Sequence, residues 1–241
     1  MIGDEKGPPA SLTGLFATAY RLYVHRVGLY VSLAIAAFAV QAIVDLAVMR
    51  DDGLAIGLNI IVGSFVMAAV SIGVAFDLAQ KDADWSTIFN SASLRWGVVV
   101  IVNGVYYVLY RLFWPSLFAP PEETGYGFLL IPFVLLLGAI TLATVVAAID
   151  PAKSRLTLPL VALAKGFVVS AQFVNLGRLM MFSVLLMLPM IAETFLELQL
   201  IRRGVFEAGF WAAIPLDAIT IGPLQALATV LYVDFLRRAH R

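Results

Sequence analysis

Residues 210–238 read FWAAIPLDAITIGPLQALATVLYVDFLRR. Read as one helix, the stretch is about long enough to cross a ~30 Å hydrocarbon core. Pro215, Gly222 and Pro223 interrupt it, Asp217 lies inside it, and Tyr232, Asp234, Arg237 and Arg238 close it. A charge at the centre of a bilayer costs about 3 kcal/mol or more. Asp217 therefore has to be matched by groups on other apolar stretches, and the rest of the chain is read for them.

The 241 residues are 61% hydrophobic and 13% charged, against about 25% charged in a soluble domain. The composition is that of an all-α integral membrane protein. Formal net charge is zero, so there is no basic footprint for nucleic acid. With no cysteine, disulfides, iron–sulfur clusters and thiol nucleophiles are excluded. The two histidines, His25 and His240, flank apolar stretches, which argues against a histidine-rich metal site. The opening MIGDEKGPPAS carries no apolar core before a cleavage site, so no signal peptide is expected.

Taken in order, residues 1–10 read as a flexible tail and residues 11–241 as one membrane domain. Ser11 is the expected N-cap of a helix whose stripe is Leu12, Leu15, Phe16, Ala19, Leu22 and Tyr23. It reads either as a helix on the membrane surface or as a cap packed on the protein's own loops. Six spans are expected at about 27–49, 54–76, 96–118, 127–149, 179–201 and 209–234, in three hairpins. Two more amphipathic segments are expected, one around Trp85, Ile88, Phe89 and Ala92, the other with Leu160, Leu163, Ala164, Phe167, Ala171 and Val174 on one face. The three segments start near Leu12, Trp85 and Leu160, 73 and 75 residues apart. Each precedes a basic residue and a hairpin, a possible threefold array of surface helix plus two spans.

Lys and Arg set the orientation. With the N-terminus inside, the inner segments hold twelve of them and the outer loops only Arg50, Arg202 and Arg203. Both termini and all three amphipathic segments are then expected on the inner face. Tyr20, Tyr23, Tyr30, Trp85, Trp96 and Tyr232 would form the inner aromatic belt, and Trp114, Tyr126 and Trp211 the outer.

At a rise of about 1.5 Å per residue, Arg111 and Glu193 lie roughly 21–22 Å from the inner ends of their spans, and Asp217 about 12 Å from the outer end of its own. Asp45 and Glu197 stand near the outer edge. Asp45, Arg111, Glu193, Glu197 and Asp217 thus share the outer half as an intramembrane charge layer. Arg111 is its one cation and is expected to pair with Glu193 or Asp217. Two readings stay open: carboxyls that exchange protons during transport, and an ion pair that only fixes helix packing. No HExxH, Walker loop or GxSxG is present, and no cofactor or metal is expected.

The ending Pro223–Arg238, with Tyr232, Asp234, Arg237 and Arg238, resembles the closing span of the membrane domain of bacterial glycerophosphoryl diester phosphodiesterases and YciC-like proteins. Phe16–Arg26 is similar to that family's first surface helix, and Leu158–Arg178 to its central amphipathic element, here without the usual Ser-Trp pair. No soluble phosphodiesterase domain, and none of its catalytic residues, lies in these residues. The resemblance implies a non-enzymatic, multi-pass protein of the bacterial inner membrane with a structural, scaffolding or membrane-organising role. The alternative is a transporter or channel for a small solute or lipid that uses the outer-half layer. Expected partners are the lipid bilayer and other membrane proteins or a second copy of the chain.

Overall fold

Long apolar runs with no water to pair their backbone must satisfy every amide internally, and helices do so within one segment. The computed structural model describes residues 11–48, 52–118, 130–150, 158–205 and 208–239. The tail expected over residues 1–10 and the outer loop around 119–129 lie outside the described residues. All regular structure among the described residues is helical: α1 Leu12–His25, α2 Val27–Val48, α3 Asp52–Leu78, α4 Trp85–Phe118, α5 Leu130–Ile149, α6 Leu158–Ala171, α7 Phe173–Arg202 and α8 Ala208–Ala239. Five are long and apolar enough to cross a membrane, and α1 with the start of α2, bent by 74° at Arg26, makes a sixth if counted as one span.

Local signals set several ends. The Ser11 hydroxyl accepts the Gly14 amide at 3.1 Å, capping α1 as the sequence predicts. α3 and α7 end alike. Lys81 N–H reaches Phe76 O at 3.0 Å around Gln80, and Val205 N–H reaches Leu200 O at 3.0 Å around Gly204. Both central residues are left-handed, with φ 52° and 73°, the closure that glycine usually supplies.

Side-chain partners give the helix directions. On α3 and α8, Asn59 meets Asp217 and Ser71 meets Gln225. The numbers rise together, so the two helices run parallel. On α3 and α4, Asn59 meets Tyr107 and Ser64 meets Asn103. There the numbers run oppositely, so the pair is antiparallel. The helices α2 and α3, α4 and α5, and α7 and α8 pack as sequential neighbours. Asp77 and Asp234, near the C-terminal ends of α3 and α8, therefore lie at the same end of the bundle.

The core is built around α5 and α8. On α5, Leu137, Ile140, Leu142, Ala143, Val145, Val146 and Ala147 are all buried, against α3, α4, α6, α7 and α8. A helix enclosed by others is apolar all round, which is why α5 shows no charge. Small residues let helices approach closely. At Gly166 of α6, a Cβ would stand 2.8 Å from Ala143 Cβ and 2.9 Å from the Ala139 carbonyl oxygen.

Two expectations change, and a third is refined. The segment around Trp85 is not a separate surface helix. It runs unbroken into α4, a 34-residue helix, because Ser91–Gly97 contains no proline and only one glycine to stop it. On α6 the expected apolar stripe faces away from the bundle, where a surface helix presents it. Leu160 is 72% exposed and Phe167 38%, while Pro159, Ala162, Gly166 and Val169 are buried. In an apolar solvent, small residues turn toward neighbouring helices and large ones outward. Finally, Tyr30 and Tyr232 are buried rather than at a belt. Tyr30 stacks on Tyr23 with ring centroids 5.6 Å apart, its hydroxyl against Gly73, while Tyr23 lies against Gly222. The two glycines open the notch that takes both rings. On α1 the expected stripe does turn inward: Leu15 and Ala19 are buried, with α8 as the main neighbour.

Candidate functional site

Polar side chains on apolar helices must find one another or enclose water. Here they converge on a cavity of about 120 Å³ between α3, α4, α5, α7 and α8. Its polar lining includes Asp217, Asn59, Tyr107, Asn103 and Gln225, and Met67, Leu186 and Met190 complete the apolar part.

Asp217 heads a short relay. Its Oδ2 accepts Asn59 Nδ2 at 3.0 Å, and Asn59 Oδ1 accepts the Tyr107 hydroxyl at 2.5 Å. The amide is thereby fixed from both sides, with its donor turned to the acid. Deeper along the same helices, Asn103 Nδ2 donates to Ser64 Oγ at 3.0 Å. Gln225 Nε2 donates to Ser71 Oγ at 2.8 Å and Thr144 Oγ1 at 3.1 Å. Thr144 and Thr220 turn their hydroxyl protons to backbone carbonyls of their own helices. Tyr106, Tyr107 and Tyr110 cluster on α4 with centroids 6.1–6.5 Å apart.

Prolines stand at this level. Pro189 of α7 lines the cavity, and Pro223 of α8 lies beside Leu224. Neither supplies the amide that would pair with the carbonyl four residues earlier, yet both helices run on through the proline.

The sequence-expected charge layer is only partly assembled here. Asp217 lines the cavity with Asn59 as its described partner. Glu193 is half-buried on α7 and is not among the residues that line the cavity. Glu197, one turn further along, is half-buried and outside the cavity lining. The side chains of Asp45 and Arg111 lie outside the described residues. Sequence reading passed over Asn59, Asn103 and Gln225. The signal that finds them is an amide side chain inside an otherwise apolar span.

The closing signature forms a second cluster. Asp234 is buried and its Oδ2 accepts Arg178 Nη1 at 2.5 Å and Arg238 Nε at 2.8 Å. Tyr232, two residues earlier on α8, is also buried, and Asp150 pairs with Lys165 of α6. Arg237 sits half-buried between Leu236 and Arg238. Beyond these, Arg26 Nε donates to both Asp77 oxygens at 3.0 and 2.9 Å, Nη2 donates to Oδ1 at 2.6 Å, and Nη1 donates to Ala83 O at 2.7 Å. No group of three or more His, Asp or Glu able to hold a metal ion occurs among the described residues.

No family model matches this chain, and neither a curated protein nor a solved structure does.

Proposed function

We propose that this chain is a non-enzymatic carrier or channel for a small hydrogen-bonding solute, with Asp217 as the carboxyl that exchanges a proton or meets the solute. One observation carries the reading: an acid faces a cavity between five helices, four of which line it with amides, hydroxyls and phenols. A bundle that needed only apolar packing would be more stable without these groups, and intramembrane carboxyls commonly mark ion or proton paths. Pro189 and Pro223 lie inside the continuous helices α7 and α8, and the backbone pairing they remove is where such a path opens.

In this reading the protein crosses the bacterial inner membrane six times, through α2, α3, α4, α5, α7 and α8, with both ends cytoplasmic. Twelve inner Lys and Arg against three outer ones support that orientation. The resemblance to the phosphodiesterase membrane domain and YciC-like proteins supports the compartment.

The test is proton flux into liposomes loaded with a pH-sensitive dye and driven by a potassium diffusion potential. Wild-type protein should raise the rate above empty liposomes, and Asp217→Asn should return it to that baseline. Wild-type flux at the empty-liposome rate, or unchanged flux in Asp217→Asn, would overturn the reading. A scaffolding role is the second reading, favoured by the outward apolar face of α6. Capture of a defined membrane partner in mild detergent, lost on replacing Leu160 and Val168 with serine, would support it.

A further inference from the structure

We propose, resting on the reading of the Asp217 cavity as a solute site, that the solute it takes is a small monovalent cation. Asp217 is the one acid among the described residues that line the cavity, and no Lys, Arg or His is among them. The protons of the lining hydroxyls are already committed. Thr141 Oγ1 donates to Leu137 O at 2.9 Å, Thr144 Oγ1 to Thr141 O at 2.7 Å and Thr220 Oγ1 to Leu216 O at 2.6 Å. The Tyr107 hydroxyl donates to Asn59 Oδ1 at 2.5 Å, and that of Tyr106 to Met190 Sδ at 3.7 Å. A hydroxyl has one proton and two lone pairs, so each threonine is left with acceptor capacity only.

The amides follow from the hydroxyls. Because the Thr144 proton lies on Thr141 O, Thr144 Oγ1 can only accept. That fixes Gln225 with Nε2 turned to Ser71 and Thr144, at 2.8 and 3.1 Å. Both Nε2 protons are then used, and the carbonyl oxygen is what Gln225 has left to offer. Asn59 gives one proton to Asp217 Oδ2, and Asn103 gives one to Ser64 Oγ. At most two amide protons therefore remain, one on each asparagine. Against them stand Asp217 Oδ1, the carbonyl oxygens of Asn103 and Gln225, and the threonine lone pairs. An anion would meet the Asp217 carboxylate. A neutral amide or alcohol would turn its own lone pairs against oxygens. A cation meets acceptors and cancels the one charge, relieving the cost of holding a carboxylate inside the bundle. The volume of about 120 Å³ equals that of about four waters at ~30 Å³ each, enough for ammonium or potassium.

The experiment follows thermal unfolding of detergent-purified full chain in ammonium chloride, potassium chloride or N-methylglucamine chloride at equal ionic strength. N-methylglucamine is the bulky control. The two small cations should raise Tm above that control, by an amount that grows with the logarithm of their concentration. Asp217→Asn should weaken the apparent affinity by at least about tenfold. Thr220 lies one turn from Asp217 on the same helix face. Thr220→Val should weaken the affinity by about three- to tenfold, whereas Thr220→Ser, which keeps the hydroxyl, should match wild type. Equal Tm of the wild-type protein in all three salts would overturn the site, and so would a shift undiminished in Asp217→Asn. If Asp217→Asn does not fold, an undiminished shift in Thr220→Val overturns it. Binding and flux fail separately: proton flux without a cation-dependent shift overturns the cation site alone, and a shift without flux keeps the site and overturns the carrier or channel.

Discussion

Removing Arg26 should unfasten the bend between α1 and α2. Its guanidinium makes three hydrogen bonds to Asp77, at 2.6, 2.9 and 3.0 Å, and a fourth to Ala83 O at 2.7 Å. The two side chains are 15% and 9% exposed. An exposed ion pair would be worth about 0–1 kcal/mol, and breaking a fully buried one costs about 3–5 kcal/mol. This pair lies close to the buried limit but keeps some water. The bonds share one carboxylate and do not add. Arg26→Gln should therefore cost about 2–4 kcal/mol, much of it the penalty of leaving Asp77 enclosed without its cation. Asp77→Asn should cost a similar amount for the mirrored reason. The double variant should lose less than the sum, with a coupling of about 1–3 kcal/mol. Equilibrium unfolding in mixed micelles of mild detergent and dodecyl sulfate, followed by tryptophan fluorescence, measures all three. A coupling within about 0.5 kcal/mol of zero would refute the view that this pair holds the bend.

Two further outcomes follow from the packing and caps. Gly166→Ala should destabilise by about 1–3 kcal/mol, because the new methyl meets Ala143 and the Ala139 carbonyl oxygen; Gly97→Ala, with nothing within 4 Å, should be neutral or stabilising by up to about 1 kcal/mol in the same unfolding assay. Asp84 caps α4: its carboxylate accepts the Thr87 amide and the Ser86 hydroxyl, each at 2.9 Å, and the Thr87 side chain first, then the Thr87 amide and the Ser86 hydroxyl, hold its pKa below the usual range. A depressed carboxylate pKa stabilises the fold above the ordinary value of about 3.9 and loses that contribution as pH falls through the lowered one. The stability difference between wild type and Asp84→Asn should thus stay flat from about pH 5 to 8 and change only below about pH 4; a change near neutrality would point to another group.

The sequence made the helical, membrane-crossing character legible because uncharged apolar runs admit few other structures. It also marked the cap at Ser11 and the inward stripe of α1. On α6 the stripe with Leu160 and Phe167 reads as a surface face and does turn outward, but it does not single out Ala162 and Gly166, the small residues buried on the other side. Charge drew attention to Asp217 but not to Asn59 or Gln225, because an amide adds nothing to a charge count. Its weight appears only when a partner on another helix is known. Continuity was also hidden. Nothing in Ser91–Gly97 marks a helix as unbroken, since polar residues at a membrane boundary suit a turn or a through-running helix equally.

The even spacing of the three amphipathic segments gains a physical content from the ion pairs. Arg26, Arg95 and Arg178 each stand at the entry to a helix pair, and Asp77, Asp150 and Asp234 each lie near its exit. In the first and third units the two ends meet: Arg26 holds Asp77, and Arg178 holds Asp234. Both units begin with a 14-residue helix, and a single residue, Arg26 or Gln172, separates it from the next. A chain that turns within one residue leaves its entry end free to swing, and an Arg–Asp latch just past the turn fixes it. At the second break Asn175 adds a bond from Nδ2 to Val169 O at 2.8 Å, tying α7 back to α6. The middle unit has no break, because α4 runs straight through, and a continuous helix needs no latch. There Asp150 is taken by Lys165 of α6, so the middle exit is joined to the next unit's entry helix. The bend and latch shared by the first and third units constrain few positions, which leaves their other residues free to differ.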